Sequence, residues 1–201
     1  FVDGSRFRRN LFVVSLFSLP VIYLGIILAV IFHEVIGHGL TVFLLGGRFN
    51  GFGVHLDGMG WASVEFADLT ALSKALVFLG GPFCTMVVSL LFFTLSAVFK
   101  KKYFTSLTFI FLAITSLLDG VPYLFWDAVF LGGIGDFSGI WVLYPEPVLR
   151  AMVIALGGLL MGIGIIIFNI QYYKMICSWV GEGKSIKLKE KIIVSLSSQS
   201  K

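Results

Sequence analysis

Long apolar runs separated by short polar or basic breaks set the pattern of this chain. The first runs from Leu11 to Leu45, 35 residues in which Glu34 is the only formal charge. As one helix it would extend about 52 Å, against a hydrocarbon core of about 30 Å. Pro20 is therefore expected to divide it, with Leu11–Leu19 a kinked or interfacial approach and residues 21–45 the spanning helix. A second run, Leu76–Phe99, holds 24 uncharged residues and closes on Lys100, Lys101 and Lys102. The third span is expected over residues 103–121, ending at Leu118-Asp119-Gly120-Val121-Pro122, and the fourth over residues 151–173. Between the third and fourth, the apolar but glycine-broken stretch through Gly132-Gly133-Ile134-Gly135-Asp136 is expected to be irregular backbone lining a protected cavity.

The one connection with strand character is Gly46–Asp68. Its β-prone runs, Phe49–Leu56 and Trp61–Phe66, flank the turn Asp57-Gly58-Met59-Gly60, so a β-hairpin over residues 49–66 is expected against the membrane. The expected fold is an all-α membrane protein, a polytopic bundle of about four transmembrane helices with a small membrane-associated β-hairpin. All of 1–201 is read as one domain, with a peripheral basic tail over residues 181–201 carrying Lys184, Lys187, Lys189 and Lys191.

Composition agrees. The chain is 58% hydrophobic and only 13% charged, with mean hydropathy +0.98, more apolar than a soluble core of 201 residues can bury. The net charge of +4 sits in clusters beside the apolar runs, which points to topology and lipid headgroups, not nucleic acid. Arg6, Arg8, Arg9, Lys100–Lys102 and the tail lysines all fall on one side of a four-span layout. Asp57, Glu65, Asp68, Asp127 and Glu146 fall on the other, so both termini of this multi-pass protein are expected to be cytoplasmic. The apolar run after the arginines is too long for a signal-peptide core and is expected to be retained. Cys84 and Cys177 have no motif around them and are read as packed free thiols.

The chemistry lies in Phe32–Leu40, which places His33, Glu34 and His38 in hydrocarbon. Ionisable groups at that depth are costly and mark sites. Zinc proteases commonly carry His-Glu-x-x-His, two imidazoles four apart on one helix face with the glutamate as general base. Here the second histidine comes one residue later, as His-Glu-Val-Ile-Gly-His. On a regular α-helix five residues leave the rings about 140° apart, too far to share an ion. A π-bulge absorbs one inserted residue, and Gly37 and Gly39 would ease it. The hexapeptide resembles the lengthened zinc motif of the dipeptidyl peptidase III family, over these six residues only. A metal bound by His33 and His38 needs a third protein ligand and an open position for water, whose proton Glu34 would take. The alternative is an interhelical hydrogen-bond cluster without metal. His55, lacking motif spacing, is read as a hairpin residue, and Asp127 and Glu146 as loop charges.

Over most of residues 21–173 the chain resembles the site-2 protease family of intramembrane zinc metalloproteases. The shared features are the early His-Glu motif, Leu44-Leu45-Gly46-Gly47, the hairpin, the Leu79-Gly80-Gly81-Pro82 helix start and a later aspartate. The resemblance implies zinc bound by two histidines and an aspartate of a Leu-Asp-Gly element that follows Asn-x-x-Pro. It also implies a hairpin that receives unfolded substrate as an added strand. Asp119-Gly120-Val121-Pro122 stands in the Asn-x-x-Pro place and Gly135-Asp136 follows, which favours Asp136 as third ligand. Read literally, Leu118-Asp119-Gly120 makes Asp119 the alternative, and the aspartate left over is expected to cap a helix or turn. The glycines before Pro82 are read as helix packing. The expected function is hydrolysis of membrane-associated or transmembrane protein or peptide substrates, with Zn2+ as cofactor and the lipid bilayer as surroundings. One rival is a non-catalytic membrane scaffold or regulator that keeps the fold and a structural metal. Another is a proton-relay transporter, for which four spans without repeats are poor material. The sequence leaves the oligomeric state open.

Overall fold

The computed structural model describes residues 4–66, 68–129 and 135–180 of the chain. The described residues are mostly helical, with four helices long and apolar enough to cross a membrane and one small antiparallel sheet. The elements in order are α1 (Gly4–Ile31), a π-helical segment (Phe32–Leu40), α2 (Thr41–Leu44), β1 (Arg48–Val54), β2 (Gly60–Glu65), α3 (Ala71–Val98), α4 (Tyr103–Val129), α5 (Asp136–Leu143) and α6 (Pro147–Val180). The membrane-length stretches are Phe12–Leu44, Ala71–Val98, Tyr103–Pro122 and Pro147–Ile176.

Two expected breaks do not occur. Pro20 lies inside α1, and α1, the π segment and α2 run on without interruption. Pro122 lies inside α4, which continues to Val129 instead of ending by Pro122. Each proline removes one hydrogen bond, whereas leaving the helix in an apolar surround would strand several backbone groups, so the helix persists. Of the glycine-broken stretch, Gly132, Gly133 and Ile134 lie outside the described residues, as do the tail lysines and the side chain of Asp127.

Helix α4 is the axis of the bundle. Within the membrane-length windows 56% of α4 is buried, against 11% of α6, whose Met152, Leu159 and Ile166 face outward. Helices α1, α3 and α6 all pack on α4. At one end Val14 of α1 and Met175 of α6 close on Leu107, Ile110 and Phe111 of α4. Further along, Ser89 of α3 donates to the Ala113 carbonyl at 2.8 Å, an interhelical bond of the kind that replaces hydrophobic driving force in lipid.

Leu44-Leu45-Gly46-Gly47 is the stop of the first helix. Gly46 N donates to Phe43 O at 3.1 Å and Gly47 N to Val42 O at 2.9 Å, satisfying carbonyls that the ending helix releases. The chain then forms the hairpin, pairing Arg48 with Glu65 and Val54 with Gly60, with a bulge between Phe49 and Gly51. The turn is held by His55 N to Met59 O at 2.8 Å and by Met59 N to Asp57 Oδ1 at 3.0 Å. Thr70 caps α3 by accepting from Ser73 N at 3.2 Å. Both strands lie against the π segment, with Gly60 of β2 next to Glu34.

Candidate metal centre

His33, Glu34 and His38 are all buried on the π segment. Hydrogen bonding from residue i to i+5 brings positions five apart onto one side of a helix, and the two imidazole centroids lie 4.9 Å apart. The extra residue of the motif is taken up by the backbone over nine residues, Phe32–Leu40. Gly37 faces α3 where Gly80 and Gly81 pass, and a Cβ at Gly37 would come within 2.8 Å of the Gly80 carbonyl. Backbones this close admit only glycine.

Asp136 arrives from a different element. It is the first residue of α5, preceded by Gly135 at φ +121°, a conformation L residues rarely adopt. The neighbouring Phe137 is buried with Ile140 against Ala75 of α3 and Leu124 of α4, and this apolar anchor fixes where the carboxylate reaches. Asp136 Oδ2 lies 2.8 Å from His33 Nε2, and Oδ1 lies 3.0 Å from His38 Nε2. One ligand atom from each of the three residues falls within 4.8 Å of the others.

The second nitrogen of each ring decides what this cluster needs. His38 Nδ1 is 2.7 Å from the Val77 carbonyl, which can only accept, so the proton sits on Nδ1. His33 Nδ1 is 2.7 Å from Asp119 Oδ2 and donates to it. With Nδ1 of each ring engaged in this way, both Nε2 atoms and the Asp136 carboxylate face one another, the arrangement in which neutral rings present two nitrogens and a carboxylate to a shared cation. Two imidazole nitrogens and a carboxylate make a donor set that suits zinc. The wall opposite is Gly81, where a Cβ would fall 2.5 Å from His38 Nε2 and still closer to His33 Nε2. A space shared by both nitrogens and kept clear of side chain is what a bound ion requires.

Glu34 extends toward the hairpin. Its Oε1 lies 3.1 Å from the point a Cβ on Gly60 would occupy, so the carboxylate sits beneath the first residue of β2. Asp119 does not join the donor set. It lies within α4 and meets the other nitrogen of His33, and it is also not the helix or turn cap expected of a spare aspartate. His55 is exposed in the hairpin, apart from the cluster.

A model of the Peptidase M50B-like family matches residues 10–178. The chain belongs to that family. No curated protein and no solved structure matches it. The match and the resemblance of motifs to site-2 proteases indicate the same peptidase family, and the four apolar helices agree with an integral membrane member.

Within this M50B-like chain, two parts of the site escaped the sequence reading. The Val77 carbonyl leaves no mark in a sequence. Gly81, read only as packing, also borders the ring nitrogens, and its spacing of four from Val77 on α3 is the signal that joins them.

Proposed function

We propose that this chain is an intramembrane zinc metalloprotease that hydrolyses peptide bonds of membrane-associated or transmembrane substrates. The family match supports peptidase chemistry. The observation that carries the zinc reading is the convergence of His33 Nε2, His38 Nε2 and the Asp136 carboxylate within 4.8 Å, with Nδ1 of each ring engaged elsewhere. In this reading residues 1–201 form one domain, His33, His38 and Asp136 hold the ion, and both termini are cytoplasmic.

Zinc held there supplies Lewis acidity, which polarises a scissile carbonyl and makes water more acidic. The remaining work falls to the protein. Glu34 accepts the proton of the attacking water on a carboxylate oxygen as the new C–O bond forms, then delivers it to the amine as the C–N bond breaks. Asp119 holds the proton of His33 on Nδ1 and so keeps Nε2 free to donate its lone pair. The two-stranded sheet, above Glu34, offers strand edges to which an extended peptide can add. A cavity of about 550 Å³ lined by Ile22, Ile26, Gly58, Leu118 and Asp119 lies between the hairpin turn and Asp119, and its apolar wall suits a membrane peptide.

The test uses the purified chain with a membrane-peptide substrate. Wild type should carry about one zinc per chain and cleave, while Glu34→Gln should keep zinc and lose about 10²–10⁴-fold in rate. Unchanged cleavage in Glu34→Gln overturns the catalytic assignment. Zinc bound by a wild-type chain that cleaves nothing would favour the membrane scaffold instead.

A further inference from the structure

At the end of the bundle away from the histidines, a second site has been left by the turn between α3 and α4. From Gly81 to Ser96 the chain climbs about 22 Å along α3. There a cavity of about 800 Å³ opens between α3, α4 and α6, with Lys100, Lys101 and Lys174 at its rim and Ile110 and Met175 lining it deeper in. Three membrane-length stretches end at this level, at Val98, Tyr103 and Ile176. The lysines thus stand where hydrocarbon gives way to headgroups.

The walls are tied together before any ligand arrives. Ser96 Oγ is hydrogen-bonded to Gln171 Oε1, linking α3 to α6, and Ser106 Oγ of α4 donates to the Ser96 carbonyl at 3.0 Å. Among the described residues no carboxylate pairs with Lys100, Lys101 or Lys174. Lys102, in the same turn, does not line the cavity and instead sits 5.9 Å over the Phe99 ring. Three ammonium groups without a carboxylate partner among the described residues, set around a fixed polar wall, call for an anion, and an apolar interior beneath them calls for an acyl chain attached to it.

We propose that this cavity binds the phosphate headgroup of an anionic phospholipid, its acyl chains continuing along the apolar wall. The site is separate from the hydrolytic one and does not depend on it. Anionic headgroups gain about fivefold in affinity from each nearby lysine, and a pocket that is already formed loses little to ordering on binding.

The full chain, purified in detergent, is titrated with phosphatidylglycerol, phosphatidylcholine and inorganic phosphate and followed by native mass spectrometry. One phosphatidylglycerol should bind saturably, at least about tenfold more tightly than phosphatidylcholine. Lys100→Gln, Lys101→Gln and Lys174→Gln should each weaken it about fivefold, with Lys102→Gln close to wild type. Equal binding of the two lipids overturns the proposal. So does an equal loss on Lys102→Gln, which would mean general surface attraction. Inorganic phosphate competing as well as the lipid would make this a free-anion site and overturn the lipid assignment.

Discussion

Asp119 and Asp136 both approach the His33 imidazole, at 2.7 and 2.8 Å, yet they come from unlike parts of the molecule. Asp119 stands in the body of α4, the most buried of the membrane-length helices, and meets Nδ1. Asp136 begins an eight-residue helix after a left-handed glycine, and meets Nε2 of both histidines. A long packed helix suits a residue that must hold one proton in one place. A short helix anchored by Phe137 suits a carboxylate that must close a site assembled from three elements. The same side chain at nearly the same distance thus faces different nitrogens of one ring, and under the proposed function the nitrogen it faces decides its role.

The sharpest way to break this comparison is to remove each carboxylate in turn. Asp136→Ala should take zinc from about one per chain to near none and abolish proteolysis, as elemental analysis of the purified protein would read. Gly81→Ala should come next. Its new Cβ would press on both Nε2 atoms, so zinc affinity should fall by more than about 100-fold in chelator competition, with helical content by circular dichroism unchanged. Asp119→Asn should have the smallest effect, about 10–100-fold in zinc affinity, because the ring keeps its place while the charged, acceptor-only carboxylate that fixes its tautomer becomes an amide that can also donate. If Asp119→Asn strips the metal while Asp136→Ala keeps it, the two roles are exchanged.

What could be read from the sequence follows the range over which each feature is encoded. Apolar length is a local signal repeated over twenty or more residues, and it located the four spans and the hairpin between the first two. Pro20 and Pro122 misled because the rule that proline ends helices assumes water is ready to accept the freed carbonyl. The one-residue excess between His33 and His38 was legible as a choice between diverging rings and a distorted helix, and the π segment is the second of these. The order of Asp119-x-x-Pro122 before Asp136 pointed to Asp136, and the structure puts Asp136 with the two histidines. That Asp119 would turn to the back of His33 was not legible. It depends on how α4 is rotated against the first helix, which no single stretch encodes. The Val77 carbonyl and the cleared space at Gly81 are likewise products of packing between segments more than 30 residues apart.

Under the proposed function, two imidazoles five positions apart share one cation because the helix between them is π-wound. X-ray absorption at the zinc edge of the purified chain tests it most directly. Two imidazole nitrogens at about 2.0–2.1 Å and a carboxylate oxygen are predicted, with one imidazole missing from the shell in His38→Ala. A shell that holds a single imidazole and is unaltered by His38→Ala would contradict it.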